Sequence, residues 1–237
     1  MAPVVASSRL SSSGRAALAL AGAILACAVV VPLASSEPHI VKQPVPSSLG
    51  DTESAAEDIV DHVFAHDRGS TVATATTLRK LAHGPAAAAL AGAGVPTATI
   101  AELGRRADRV ERLSHSAPFI DVALAANAVS QLMASLYSHF QDPVPAGILT
   151  LDYLDREAQF RSIAREPDSV AAAVAALERT WKPLRPVVVR AGGTSEAAAY
   201  AGHVAAMKRL VSAKPTKLQA EAVRGLELVD DMENVFR

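Results

Sequence analysis

The chain holds a single cysteine, Cys27, in 237 residues. That excludes a disulfide scaffold, a cysteine-based zinc site, a thioredoxin-type pair and covalent haem attached through C-x-x-C-H. Aromatic residues make up only 4%, so any core has to be built from alanine, leucine and valine on closely approaching elements rather than around bulky rings. Neither sign of charge dominates: 23 basic residues stand against 24 acidic ones, a net charge of -1. A dedicated nucleic-acid binder usually carries a strong positive balance, so no nucleic-acid partner is expected. Catalytic signatures are also missing. Beyond residue 36 there is no G-x-S-x-G elbow, no phosphate-cradling glycine loop and no Ser-x-x-Lys motif. The glycines at 92, 94, 192 and 193 read as helix stops, and a binding module is expected rather than an enzyme.

What is present begins with a membrane-inserting segment. Residues 1–15 contain Arg9 and Arg15 and no acid, and Ala16–Ala34 is an uncharged stretch of 19 residues. A spanning helix needs roughly 17–25 apolar residues and a cleaved signal about 7–15, which favours an anchor. Gly22 and Pro32 weaken that helix, however, and Ala34-Ser35-Ser36 offers a small-residue cleavage pattern. Anchor and cleaved signal therefore both stand. Either way, both arginines precede the apolar stretch, so the rest of the chain is expected outside the cytoplasm, at the outer face of the cytoplasmic membrane or secreted. Ile24-Leu25-Ala26-Cys27 also resembles the box at which bacterial lipoproteins are cleaved and lipidated, which makes Cys27 a candidate lipidation site. Without residues 1–36, 21 basic groups face 24 acidic ones, leaving a mildly acidic body of net charge -3.

Residues 37–50 carry Pro38, Pro44 and Pro46 and lack helical periodicity. They read as an extended tether, which at about 3.1 Å per residue could reach roughly 40 Å. From residue 51 to 237 apolar residues recur at steps of three and four, and no run alternates with period two. The expected fold is an all-α bundle of about seven to eight helices. Helices are expected over 52–67, 71–83, 85–91, from 97 to about 116, 118–141, 146–165, from 169 to the stop at Gly192, from 194 or 195, and 216–236. Segment 118–141 is apolar on more than one face and should be the central helix. Pro183 and Pro186 each remove a backbone donor, so the helix containing them should kink or restart there.

Two clusters of side chains are candidate sites. Asp58, His62 and His66 are spaced by four, which on a continuous helix would align a carboxylate and two imidazoles suited to a divalent transition metal such as zinc or copper. The plainer reading is a solvated polar face beside the stripe of Ile59, Val60, Val63 and Phe64. The metalloprotease motif H-E-x-x-H is not met, because Val63 stands in the glutamate's place. The second cluster is Tyr153, Glu157, Trp181, Arg185, Tyr200 and His203, which could converge on an inter-helical ligand pocket. Here the plainer reading takes Asp152–Arg156 and Glu157–Arg161 as surface ion pairs and Trp181 as a core residue. The sequence thus leads to an exported or membrane-anchored helical module that binds an unknown small ligand or protein, with an extracytoplasmic metal-binding or metal-sensing bundle as the alternative.

Overall fold

The computed structural model describes residues 42–237. The inserting segment, Cys27 and residues 37–41 of the tether lie outside the described residues. Among the described residues nine helices run in order: α1 (Ser47–Phe64), α2 (Arg68–His83), α3 (Pro85–Gly92), α4 (Thr97–Ser114), α5 (Phe119–Tyr137), α6 (Ala146–Ile163), α7 (Pro167–Arg190), α8 (Thr194–Leu210) and α9 (Pro215–Asn234). Among the described residues there is no strand, so the all-α reading of the 3.6-residue periodicity holds. Alanine-rich segments form these helices readily because alanine has the most favourable helix propensity. Pro85, Pro167 and Pro215 open their helices in the first turn, where no backbone donor is needed.

The helix ends reveal what local signals set the boundaries. Gly94 (φ 74°) and Gly192 (φ 101°) are left-handed, and the next residue donates back five positions: Val95 N to Leu90 O at 3.0 Å and Gly193 N to Val188 O at 3.0 Å. The same closure occurs without glycine at His66 (φ 56°) and Arg165 (φ 61°), followed by Asp67 N to His62 O and Glu166 N to Arg161 O, both at 2.9 Å. This is why α1 stops at Phe64 rather than reaching residue 67. Asp67 then caps α2, accepting from Ser70 N at 3.0 Å.

The helices pack as two joined rings. In the first, α1 lies on α2 and α5, α4 lies on α2 and α5, and the short α3 leans on α2. In the second, α6 packs on α7 and α9, and α8 closes the ring between them. Each ring has its own core, one around Leu78, Leu103, Val129 and Met133, the other around Ile148, Leu177, Tyr200 and Met207. Helices α5 and α6 join the rings, and Phe160 of α6 enters the first core. α5 is central, as expected. It is long and apolar enough to cross a membrane, with mean hydropathy 1.4, but its sides are taken by α1, α4 and α6.

Two expectations change. The end of the tether is not free: Lys42 Nζ donates to Ser138 O at 2.7 Å, Gln141 N donates to Gln43 O at 2.7 Å, and Leu49 is fully buried in the first turn of α1. Helix α7 also does not restart at its internal prolines, since one helix runs through Pro183 and Pro186. Both prolines are exposed, as are Arg179 and Lys182, whose carbonyls lose their donors. Water can satisfy those carbonyls, so the helix continues where a buried one would break.

Candidate functional site

Helix α6 carries Leu151, Leu154 and Ala158 into the second core, yet it also carries Asp152, Asp155 and Arg156 into the protein. A charge survives burial only with partners. These three find them in two adjoining places, a sealed cluster inside the second ring and an open cleft between the rings.

In the sealed cluster, His203 Nε2 lies 2.9 Å from Asp155 Oδ1 and Nδ1 lies 3.0 Å from Glu221 Oε1. A neutral imidazole has one donor nitrogen, so facing an ionised carboxylate with both requires the imidazolium. Burial opposes that charge, but Asp155 and Glu221 outweigh it and hold the His203 pKa above the ordinary imidazole range. Burial likewise pushes the Asp155 carboxyl up, against the pull of His203 and Tyr200. Tyr200 Oη donates to Asp155 Oδ2 at 2.8 Å, and its ring packs on Trp181 with centroids 4.9 Å apart. Asp155, Tyr200 and His203 are each 0% exposed. Gly225 of α9 makes this possible: a Cβ there would stand 2.4 Å from Asp155 Oδ2 and 2.6 Å from His203 Nε2. Closed to solvent except at Glu221, whose side chain is 15% exposed, the cluster is a structural clamp joining α6, α8 and α9.

The cleft lies one helical turn away. Its walls are Glu53 and Glu57 from α1, Tyr137 at the end of α5, Asp142 in the α5–α6 connector, Asp152 and Arg156 from α6, and Asp230, Glu233 and Arg237 from the C-terminal end. Together they enclose about 610 Å³. Tyr137 Oη donates to Glu53 Oε2 at 2.6 Å. Arg156 Nη2 donates to Glu57 Oε1 at 2.9 Å, while Nη1 lies 2.8 Å from Asp152 Oδ2 without the alignment of a hydrogen bond. Burial pushes the carboxyl of Glu53 up to about 7, with Glu57 and Glu233 adding to the effect and Tyr137 opposing it. Burial also raises Asp152 to about 7, where Glu57 and Glu53 add and Arg156 opposes. Glu233 is raised by burial as well. Six carboxyl groups therefore share one cavity with two guanidinium groups.

The sequence-derived candidates are distributed differently. Asp58 and His62 lie on α1, but His66 lies beyond its end in the left-handed conformation, edge-on to Phe119 with centroids 5.2 Å apart. The expected line of three ligands does not form, because it required the helix to continue. Among the described residues no group of three or more His, Cys, Asp or Glu side chains is arranged to hold a metal ion.

The six expected pocket residues also separate. Trp181, Tyr200 and His203 meet in the second core. Tyr153 and Glu157 line a shallow groove with Arg161, where Glu157 binds Arg161 at 2.7 Å and accepts from Asn127 Nδ2 at 2.9 Å. Arg185 is exposed. Asp152–Arg156 is not a surface pair: the two side chains are 17% and 15% exposed and are shared with Glu57. Sequence reasoning passed over Glu53, Glu57, Asp155, Glu221 and Gly225. The usable signal was three charges on α6 beside a strongly apolar face.

Comparisons with protein-family models, with curated proteins and with solved structures return no match, so the site's own chemistry carries the functional reading.

Proposed function

We propose that the chain is an extracytoplasmic helical binding module, delivered through its N-terminal apolar segment, that takes a small organic cation in the cleft between its two rings. The observation that carries this reading is the cleft's charge: six carboxyl groups against Arg156 and Arg237, with Glu53 and Asp152 pushed to about 7. Such a cavity is short of positive charge at neutral pH, and a bound cation relieves the repulsion. The carboxyl groups line a volume instead of converging on a point, and about 610 Å³ is the size of a small-molecule site. That favours an amine or guanidine of several heavy atoms over a bare metal ion. Arg9 and Arg15 before Ala16–Ala34 support export. A reporter fused after Arg237 should be active outside the cytoplasm, and cytoplasmic activity would refute the topology.

Isothermal titration of the full-length chain in detergent tests the site, with putrescine as the cationic probe, butanediol as its neutral counterpart and magnesium as the inorganic cation. Putrescine should bind and butanediol should not. Asp152→Asn should weaken putrescine about tenfold or more, the usual effect of losing one charged hydrogen bond. Asp230→Asn, at the exposed rim, should weaken it less and leaves the Asp152–Arg156 pair intact. Equal binding of the diol, binding of magnesium alone, or putrescine affinity untouched by both variants would each overturn the reading.

A further inference from the structure

Helix α4 sorts its charges by side. Asp108 and Glu111 turn toward α2, where Arg79 Nε lies 2.9 Å and 3.2 Å from them and His83 Nε2 lies 2.9 Å from Asp108. The outer face and the flank toward α5 carry Arg105, Arg106, Arg109 and Arg112. These four line a cavity of about 360 Å³ whose opposite wall is α5, with Ala125, Ala128 and Gln131. The only carboxylate lining it is Glu102. Glu102 is already committed, since Arg105 Nη2 and Arg106 Nε each donate to it at 2.7 Å and hold its pKa below the usual carboxylate range. Arg106 is further fixed by donating to Ala128 O and to Gln131 Oε1, the latter at 2.9 Å.

Arg109 and Arg112 are left over. Among the described residues Arg109 makes no side-chain hydrogen bond or ion pair, and Arg112 reaches only the backbone oxygen of Asp108 at 3.4 Å. They are four and seven residues beyond Arg105, a spacing that puts all three guanidinium groups along one line of the helix. The small side chains of Ala125 and Ala128 leave room in front of them. Four guanidinium groups against one carboxylate is an unusual concentration in a body whose net charge beyond residue 36 is -3.

We propose that this α4–α5 groove is a binding site for a phosphate-type oxyanion, held chiefly by Arg109 and Arg112 with Arg105 and Arg106 as the preset wall. Guanidinium is the group suited to this chemistry, because its planar fork matches two oxygens of a phosphate, which an ammonium cannot do. All four cations are arginine. The same chemistry is presented by a soluble pyrophosphate and by the headgroup of an anionic phospholipid. This site lies apart from the acidic cleft, and nothing in its argument depends on what the cleft binds.

The full-length chain in detergent, titrated with pyrophosphate at low ionic strength, tests the soluble source. Flotation with phosphatidylcholine vesicles, with and without phosphatidylglycerol, tests the lipid source. The readout in both arms is the difference between the wild-type chain and Arg109→Gln/Arg112→Gln, since any contribution of the N-terminal segment to vesicle binding is common to both. The double variant should lose about tenfold or more in pyrophosphate affinity, or in the increment that phosphatidylglycerol adds, and whichever arm responds identifies the source. Arg109→Lys/Arg112→Lys should recover only part of the loss, because it restores charge without the fork. Both arginines are exposed, and a thermal melt equal to wild type confirms that the variants fold. No binding in either arm, the same binding by the glutamine variant, or full recovery by lysine would overturn the proposal.

Discussion

Replacing Gly225 by alanine should reverse the usual effect of that substitution. In a helix interior Gly→Ala normally stabilises by about 0.8–1 kcal/mol, because glycine has more backbone freedom to lose. At Gly225 the added Cβ would lie 2.4 Å from Asp155 Oδ2, 2.5 Å from Asp155 Cγ and 2.6 Å from His203 Nε2. Real Cβ atoms do not approach so closely, and neither neighbour is a flexible end, since each is fixed by the other and by Tyr200 or Glu221. If α9 moves outward, overpacking costs about 1–3 kcal/mol. If the Asp155–His203 pair parts instead, an uncompensated buried charge costs about 3–5 kcal/mol. Less the propensity gain, Gly225→Ala should cost about 0–2 kcal/mol if α9 moves and about 2–4 kcal/mol if the pair parts, in either case losing the usual stabilisation. Gly202 is the control: it lies inside α8, is exposed, and a Cβ there meets nothing within 4 Å. Gly202→Ala should stabilise by roughly 1 kcal/mol. Denaturant unfolding of the two full-length variants, followed by far-UV circular dichroism, measures both. A Gly225→Ala chain more stable than wild type, shifting with Gly202→Ala, would refute the geometry of the clamp.

Other outcomes follow from the same contacts. His203→Leu should cost about 3–5 kcal/mol by stranding Asp155, and adding Asp155→Leu should recover most of it; a double variant no better than the single one contradicts the pairing. Because Glu53 and Asp152 titrate near 7 in the folded chain and near 4 unfolded, folding holds their protons, so the contribution of these two groups to stability declines as pH rises from about 4 to about 7. The raised His203 pKa acts with the same sign at higher pH, its stabilisation being lost as pH passes through the folded value. Glu53→Gln with Asp152→Asn should flatten the decline between about 4 and 7, and an unchanged slope in unfolding experiments would count against the burial of these groups. Leu49→Ala should cost about 2–5 kcal/mol, since Leu49 is 0% exposed; a loss near zero would mean that the first turn of α1 is not docked.

The fold was legible where periodicity and punctuation agree. The three-four spacing located the helices, Gly94 and Gly192 marked two of the left-handed stops, and α5 declared its central position by being apolar on several sides. His66 and Arg165 mark two more stops, but side chains that tolerate φ > 0 only under tertiary constraint carry no local signal. Missing the stop at His66 is what made a metal line out of Asp58, His62 and His66. Nor did the spacing distinguish one core from two, because each ring's helices are amphipathic in the same way. Half of the buried clamp was noticed, as Tyr200 and His203 beside Trp181. Its anionic half escaped because Asp155 sits among Asp152, Arg156 and Glu157, where a run of charges resembles a solvated face. The room for Asp155 to turn inward is left by Gly225 on a helix some seventy residues later, and only the folded chain brings the two together.

The most direct test of the cation site is the number of protons exchanged when putrescine binds, obtained by calorimetry near pH 7 in buffers of different ionisation enthalpy. A cation entering beside Glu53 and Asp152 favours their ionised forms, so binding should release protons near neutrality and release none in clearly alkaline buffer, where both are already ionised. Binding with no proton release near neutrality, or no binding at all, would contradict the account.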